Sequence, residues 1–375
     1  MTEPIRILQV VGSLGSGGIQ SYLMELYRHI DRSRVQFDFV VHIRTEQSYA
    51  SEVESLGGRV FYIDGDAFEK KAWARYIGFW KRFFREHPEY QIVHGHLRST
   101  SAVYLSEAKR AGRYTIAHSH ATNNGYGLSA KAKDVLQFPT RYIADSLMGC
   151  SRQANEWMYG KRMAAGGACS VLRNGIDAGK YVFSPEIRNA VRRKLCISDD
   201  TFVIGTVGRL VEQKNQRLLI DAFAQTAQMR DDCLLLIVGD GPLRPDLEKR
   251  MEELVLRDKA MMLGNRTDVN ELLQAFDCFV MTSRNEGLGI ALVEAQAADL
   301  PALVSPAIPD EACLTEKVVR VKSYETDAWA EALLHVGREA RADRRAQIAE
   351  AGYDISTIAA QLTDFYLSRT EKRSK

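Results

Sequence analysis

Apolar residues in this chain gather into short continuous runs, and the stretches between them repeat with helical spacing. In the first half, "IRILQVV", "FDFVVHI", "RVFYI", "QIVHGH", "TIAHSH" and "LMGCS" read as buried strands. In the second, "FVIGTVGRL", "CLLLIVGDG", "MMLG", "CFVMTS" and "PALVS" read likewise. Runs rich in Val, Ile and Leu, without strict alternation, indicate parallel strands covered by helices on both faces. Strand and helix alternate twice over, which predicts an α/β protein of two doubly wound, Rossmann-like domains. The pattern breaks in "NGIDAGKYVFSPEIRNAVRRK", punctuated by Asn174-Gly175 and Ser184-Pro185. There Ser184 reads as the cap of a new helix with Pro185 in its first turn. The expected domains are therefore 1–183 and 184–354. An amphipathic helix over 355–370, with Ser356 as its candidate N-cap, should pack back toward the N-terminal domain.

Composition narrows the class. A chain of 375 residues exceeds one ordinary core. A net charge of +2 gives no global attraction to nucleic acid. Cys150, Cys169, Cys196, Cys233, Cys278 and Cys313 show no paired spacing, which argues against a disulfide framework or zinc knuckle and for reduced thiols. No run approaches the length of a membrane span. "MTEPIRILQVVGS" enters a strand directly, without a signal-peptide pattern, so a cytoplasmic location is expected.

Ligands of α/β sheets bind beyond the carboxyl ends of the strands, so candidate chemistry is sought there. After the first strand, Gly15, Gly17 and Gly18 allow a tight turn into a helix whose free N–H groups form an anion site. A bland glycine-rich turn is the alternative, and the spacing is not that of a dinucleotide loop. Two strands end in paired histidines, His94/His96 and His118/His120. Residues two apart share a strand face, so the pairs can meet across neighbouring strands. A metal site, one histidine near a reacting sugar, and satisfied strand-end histidines are the three readings. No matching carboxylate or cysteine accompanies them, so no metal is assigned.

In "GTVGRLVEQKN", Arg209 follows a strand and Lys214 stands where the next helix begins. A planar fork and a compact ammonium so placed can converge on one diphosphate. "VGDGPLR" and "LGNRTDV", containing Asn265 and Arg266, lie at further strand ends and are candidates to line a base pocket. "NEGLGIALVEA" then sets Glu286 before a glycine-flanked turn and Glu294 inside the following helix. Unpaired buried charge is expensive. Two carboxylates bordering an apolar segment instead suit a polyhydroxylated ligand, and a helix starting near Gly289 aims its positive end at a phosphate.

With "GSGGIQ", "IVHGH", "IAHSH", "VLRNGID", "VGRLVEQKN", "VGDGPL" and the glutamate-x7-glutamate motif, the sequence resembles retaining glycosyltransferase family four, of the GT-B fold, over nearly its whole length. The wording of "EGLGIALVEAQAADLPALVSPAIPDE" is most similar to the capsular and exopolysaccharide branch. The resemblance implies two domains facing across a cleft and transfer of a sugar from a nucleotide-sugar donor, without metal or cofactor. The donor is expected to be a UDP-hexose or UDP-N-acetylhexosamine, and the acceptor a lipid-linked glycan. It implies that Gly208, Arg209 and Lys214 meet the donor diphosphate, that Asn265 and Arg266 line the donor site, and that Glu286 contacts sugar hydroxyls. Gly287, Leu288 and Gly289 match the turn whose amides touch sugar and phosphate, and Glu294 the acid on the ribose hydroxyls. Gly17 and Gly18 match the N-domain loop. His120 matches the active-site histidine, with His118 as its rival. Ala298-Asp299-Leu300-Pro301 departs from the family's small-Gly-x-Pro, and Asp299 is expected to adopt the left-handed turn glycine takes there.

Helix 69–87 interleaves Trp73, Tyr76, Trp80, Phe83 and Phe84 with basic residues. A membrane-surface helix and a core-facing stripe with a charged edge both fit. A sugar-nucleotide epimerase and a non-catalytic nucleotide-sugar-binding protein are the competing functions. An epimerase would not be expected to arrange the Glu pair with Arg209 and Lys214 in this way, and a binder should lack one of the four.

Overall fold

The computed structural model describes residues 3–15, 17–44, 48–63, 72–120 and 128–371. The chain divides into two compact units, Met1–Ile176 with Gly352–Lys375, and Asp177–Ala351.

Unit 1 is built on β1 (Ile5–Val11), β2 (Val35–Val41), β3 (Val60–Tyr62), β4 (Ile92–Gly95), β5 (Tyr114–Ser119), β6 (Ser146–Gly149) and β7 (Cys169–Val171). They form one parallel sheet in the order β3-β2-β1-β4-β5-β6-β7. Helices Gly18–His29 and Ile355–Glu371 cover one face, packing Leu23, Tyr27, Ile358 and Leu362 on Ile7, Val11, Phe37 and Ile92. Helix Ala72–Glu86 covers the other, with Tyr76, Trp80, Phe83 and Phe84 against Val10, Val40 and Val93. The aromatic stripe of that helix therefore faces the core. Arg75, Lys81, Arg82 and Arg85 remain exposed, and residues 69–71 lie outside the described residues.

Unit 2 holds β8 (Phe202–Val207), β9 (Cys233–Val238), β10 (Ala260–Gly264), β11 (Cys278–Met281), β12 (Ala302–Val304) and β13 (Val318–Arg320). Its parallel sheet runs β10-β9-β8-β11-β12-β13. Phe202, Ile204, Leu219, Phe223, Leu235, Val280 and Trp329 are among its core. In each sheet the order reverses once, at β1/β4 and at β8/β11, and these switch points are where open α/β sheets open a crevice for ligands.

The three-residue strands β7 and β13 escape the pattern of apolar runs because both are mostly exposed or half-exposed edge strands. Ser184 caps helix Pro185–Lys194, accepting from the Ile187 N–H at 3.2 Å. The tail helix differs from expectation at its start. Asp354, not Ser356, accepts from the Thr357 N–H at 2.8 Å, because the backbone bridge from Ile176 to Asp354 brings the chain to the helix two residues earlier. Asp177–Phe183 is grouped with unit 2 rather than with the residues before it, since Gln274 donates to the Tyr181 carbonyl at 3.1 Å. All six cysteines are free thiols. Among the described residues no helix is long and apolar enough to cross a membrane.

Candidate active site

In unit 2 the switch point gathers the loops after β8 and β11. Asn215, left-handed at φ 54, caps helix Gln216–Met229 and turns Lys214 back along the loop. The Lys214 ammonium donates to Glu286 Oε1 at 2.6 Å, with the carboxylate side chain 6% exposed. The two loops are laced together around that pair. Thr282 Oγ1 donates to the carbonyls of Lys214 and Asn215 at 3.1 and 2.9 Å. The Arg284 N–H donates to the Gln213 carbonyl at 2.8 Å, and Gln213 Nε2 to the Asn285 carbonyl at 2.8 Å. Arg209 is exposed and makes no ion pair among the described residues, while its carbonyl accepts from Gln216 Nε2 at 3.0 Å. An unpaired guanidinium and a lysine with two N–H donors left over make a cationic rim suited to a diphosphate.

Gly289, left-handed at φ 83, opens helix Ile290–Ala297. Only glycine takes that conformation without a Cβ penalty. Leu288 is buried, so it offers a site backbone rather than side chain. Glu294 is half-buried within the helix, and Tyr181 donates its hydroxyl to Glu294 Oε1 at 3.0 Å. Gly208 lies under the β9 loop, where a Cβ on Gly239 would meet the Gly208 carbonyl oxygen at 2.1 Å. The Gly239 N–H donates to the Gly264 carbonyl at 2.8 Å, joining the two loops expected to line a base pocket. Asn265 is exposed. Arg266 is turned onto Asp268, donating from Nε at 2.7 Å, which raises its pKa further through that bond.

In unit 1, Gly17 caps helix Gly18–His29 with extended backbone, and both glycines are exposed. A Cβ on Gly18 would meet nothing within 4 Å, so neither strain nor crowding within the chain requires glycine there. Ser16, inside the same loop, lies outside the described residues. The two histidine pairs do meet, with ring centroids of His94 and His118 5.3 Å apart and those of His96 and His120 5.1 Å apart. His118 is 1% exposed, whereas His120, just past β5, keeps some surface, so of the two only His120 can meet a substrate arriving from the surface. Burial pushes His120 down to about 3, although the Asn174 side chain beside it favours the charged form. Burial, aided by the neighbouring rings, also holds His94, His96 and His118 well below 6.5. All four are neutral at pH 7.

Sequence reading missed the supporting partners. Tyr181 stands 113 residues before Glu294, and no local signal links them. Gln9, whose Oε1 accepts from His96 Nε2 at 2.8 Å, did carry a signal: it is a polar residue inside a strand buried on both faces.

The family description "Glycosyltransferase Family 4" matches residues 16–180 and "Glycosyl transferases group 1" matches residues 187–354. EpsF of Bacillus subtilis (strain 168), named as a glycosyltransferase, is 31% identical over 98% of this chain and 97% of its own. The UDP-Gal:alpha-D-GlcNAc-diphosphoundecaprenol alpha-1,3-galactosyltransferase of Escherichia coli is 27% identical over 58% of each chain. Among solved structures, Anabaena HepE in complex with UDP and glucose matches with a TM-score of 0.78 at 20% identity, over 97% of this chain and 100% of its own. Its likeness speaks to fold, and agrees with the two parallel-sheet units in giving GT-B. The chain belongs to glycosyltransferase family 4 and is a glycosyltransferase of the GT-B fold.

Proposed function

We propose that the chain moves a hexosyl or N-acetylhexosaminyl group from a UDP-sugar to a lipid-linked glycan during surface-polysaccharide synthesis, with retention of anomeric configuration. The observation that carries this reading is the Lys214–Glu286 pair at the switch point of unit 2, on the same loop as the unpaired Arg209. Breaking the anomeric C–O bond leaves negative charge on the nucleotide diphosphate. Arg209, Lys214 and the N-terminus of helix Ile290–Ala297 are preorganised to receive it, in the role other transferases give a divalent ion. Glu286, held by Lys214, accepts from donor-sugar hydroxyls. Glu294, oriented by Tyr181, accepts from the ribose. Gly208, Asn265, Arg266 and the backbone of Gly287, Leu288 and Gly289 complete the donor pocket. Gly17, Gly18 and His120 serve the sugar and acceptor side.

UDP as the nucleotide is supported by the names of the Escherichia coli relative and of the HepE complex. The lipid-linked acceptor follows the former name, and the polysaccharide role follows EpsF and the Vi polysaccharide protein VipC/TviE of Salmonella typhi. Such an acceptor places the enzyme at the inner face of the cell membrane, where the exposed cations of helix Ala72–Glu86 would meet anionic lipid.

Release of UDP from UDP-glucose, UDP-galactose and their N-acetylamino counterparts, with GDP-mannose as counter-donor, tests the reading. Slow hydrolysis of one UDP-sugar without acceptor is expected, unchanged by added magnesium ion, and no isomeric UDP-sugar should form. Arg209→Ala and Lys214→Ala should each lower kcat by roughly 10²–10³ while staying folded. Normal turnover in either variant would refute its role, and isomerisation without UDP release would make the protein an epimerase.

A further inference from the structure

The transfer reaction uses at most one of the four strand-end histidines His94, His96, His118 and His120. His94 pairs with Ile116 in the parallel β4/β5 register, which carries on to set His96 beside His118. All four rings therefore stand on one face of the sheet, the face covered by helix Ile355–Glu371. Their hydrogen bonds account for only part of their capacity. His94 Nδ1 bonds the Tyr366 hydroxyl at 2.7 Å. His96 bonds His120 Nε2 through Nδ1 and Gln9 Oε1 through Nε2, each at 2.8 Å. His94 Nε2 and both ring nitrogens of His118 are enclosed and make no hydrogen bond among the described residues, on side chains 1% exposed.

Buried polar atoms in folded proteins are normally satisfied, and an orphan is commonly explained by a missing water or ion. Here the rings that carry the orphans converge with His96. One nitrogen from each of His94, His96 and His118 lies within 4.8 Å of the other two. Three imidazoles without a carboxylate form a donor set suited to zinc, copper or nickel rather than to magnesium or calcium. Zinc binds imidazole nitrogen at about 2.0–2.1 Å, so the rings need to draw in by on the order of 1 Å. His94 would keep Tyr366 behind it, the outer partner that fixes a ligating tautomer. His96 would exchange one of its two hydrogen bonds for the metal.

We propose that His94, His96 and His118 bind one divalent transition-metal ion of the zinc class, within the sheet of unit 1. The ion ties β4 to β5, and through Tyr366 to the tail helix. No step of sugar transfer is assigned to it.

The test uses the full chain, stripped with a chelator, dialysed, and titrated with zinc chloride and separately with cobalt chloride. One equivalent of zinc should bind per chain and survive desalting, and cobalt should give the visible absorption of a low-coordinate nitrogen site. His118→Ala removes a ring whose nitrogens make no hydrogen bond among the described residues, so it should keep the circular dichroism of the parent and bind zinc at least tenfold more weakly. His335→Ala, exposed at the C-terminal end of helix Thr326–His335 in unit 2, should bind as the parent does. Were His118→Ala to misfold, the cobalt spectrum of the parent would still decide. No zinc retained by the parent, a cobalt spectrum of the hydrated ion only, or equal binding by a folded His118→Ala would each overturn the site and leave buried water as the occupant.

Discussion

Asp299 holds its backbone in the left-handed region, at φ 52, in the tetrapeptide Ala298-Asp299-Leu300-Pro301. The family pattern has glycine here, and the residue present takes the glycine conformation while adding a function of its own. Its carboxylate is 1% exposed and accepts from Lys317 at 3.0 Å, from Arg344 Nε at 2.7 Å and from the Ala342 N–H at 2.6 Å. Burial would raise its pKa, but those donors together hold it below the usual value. Two effects oppose each other in Asp299→Gly. Relief of the left-handed strain gains about 1–2 kcal/mol. Loss of one partner from a buried, hydrogen-bonded ion pair costs about 3–5 kcal/mol. The loss wins, so Asp299→Gly should lower stability in urea unfolding, and Asp299→Ala should lower it further by keeping the strain. Equal stability of parent and Asp299→Gly would show that the pairs contribute nothing. Legibility at this scale followed chemistry that announces itself. Arg209, Lys214, Glu286 and Glu294 drew a functional reading because charged residues at strand ends and in an apolar helix need a reason. Gln9 carried a signal too, as a polar residue in a buried strand, whereas Tyr181 carried none, since it acts through a partner far along the chain.

Elements with continuous apolar runs were legible as strands, and the alternation of strand and helix gave both parallel sheets. The edge strands β7 and β13 were not, because three residues with exposed or half-exposed side chains leave no periodicity. Helix Ala72–Glu86 was legible as a helix but ambiguous in orientation, because one aromatic stripe serves equally for a core and for a membrane. Packing decides for the core, and it draws a titratable group in with it. His42, just past β2, bonds the Tyr76 hydroxyl of that helix at 3.2 Å, and burial pushes its pKa down to about 4. The unfolded chain takes up this proton near 6.5, before the folded chain does. The contribution of His42 is therefore fully present above pH 6.5 and is lost as pH falls from there toward 4. Urea midpoints at pH 7 and pH 5 should fall farther apart in the parent than in His42→Gln. The same separation in both would remove His42 from the pH dependence.

For the whole molecule, each unit carries its own sheet and core, and the tail helix makes unit 1 discontinuous in sequence. A net charge of +2 leaves recognition to local charge, and in unit 2 that charge lies at the loops after β8 and β11. In the proposed function these loops hold a uridine diphosphate sugar with Glu294 on its ribose. Thermal unfolding of the parent and of Glu294→Ala, each with UDP, GDP, ADP or NAD at millimolar concentration, tests it most directly. A ligand at a hundredfold excess over its Kd stabilises the folded form by about 2.7 kcal/mol. UDP alone should raise the parent's Tm, and Glu294→Ala should lose that shift. No shift with any nucleotide, or an equal shift in the variant, would contradict the site.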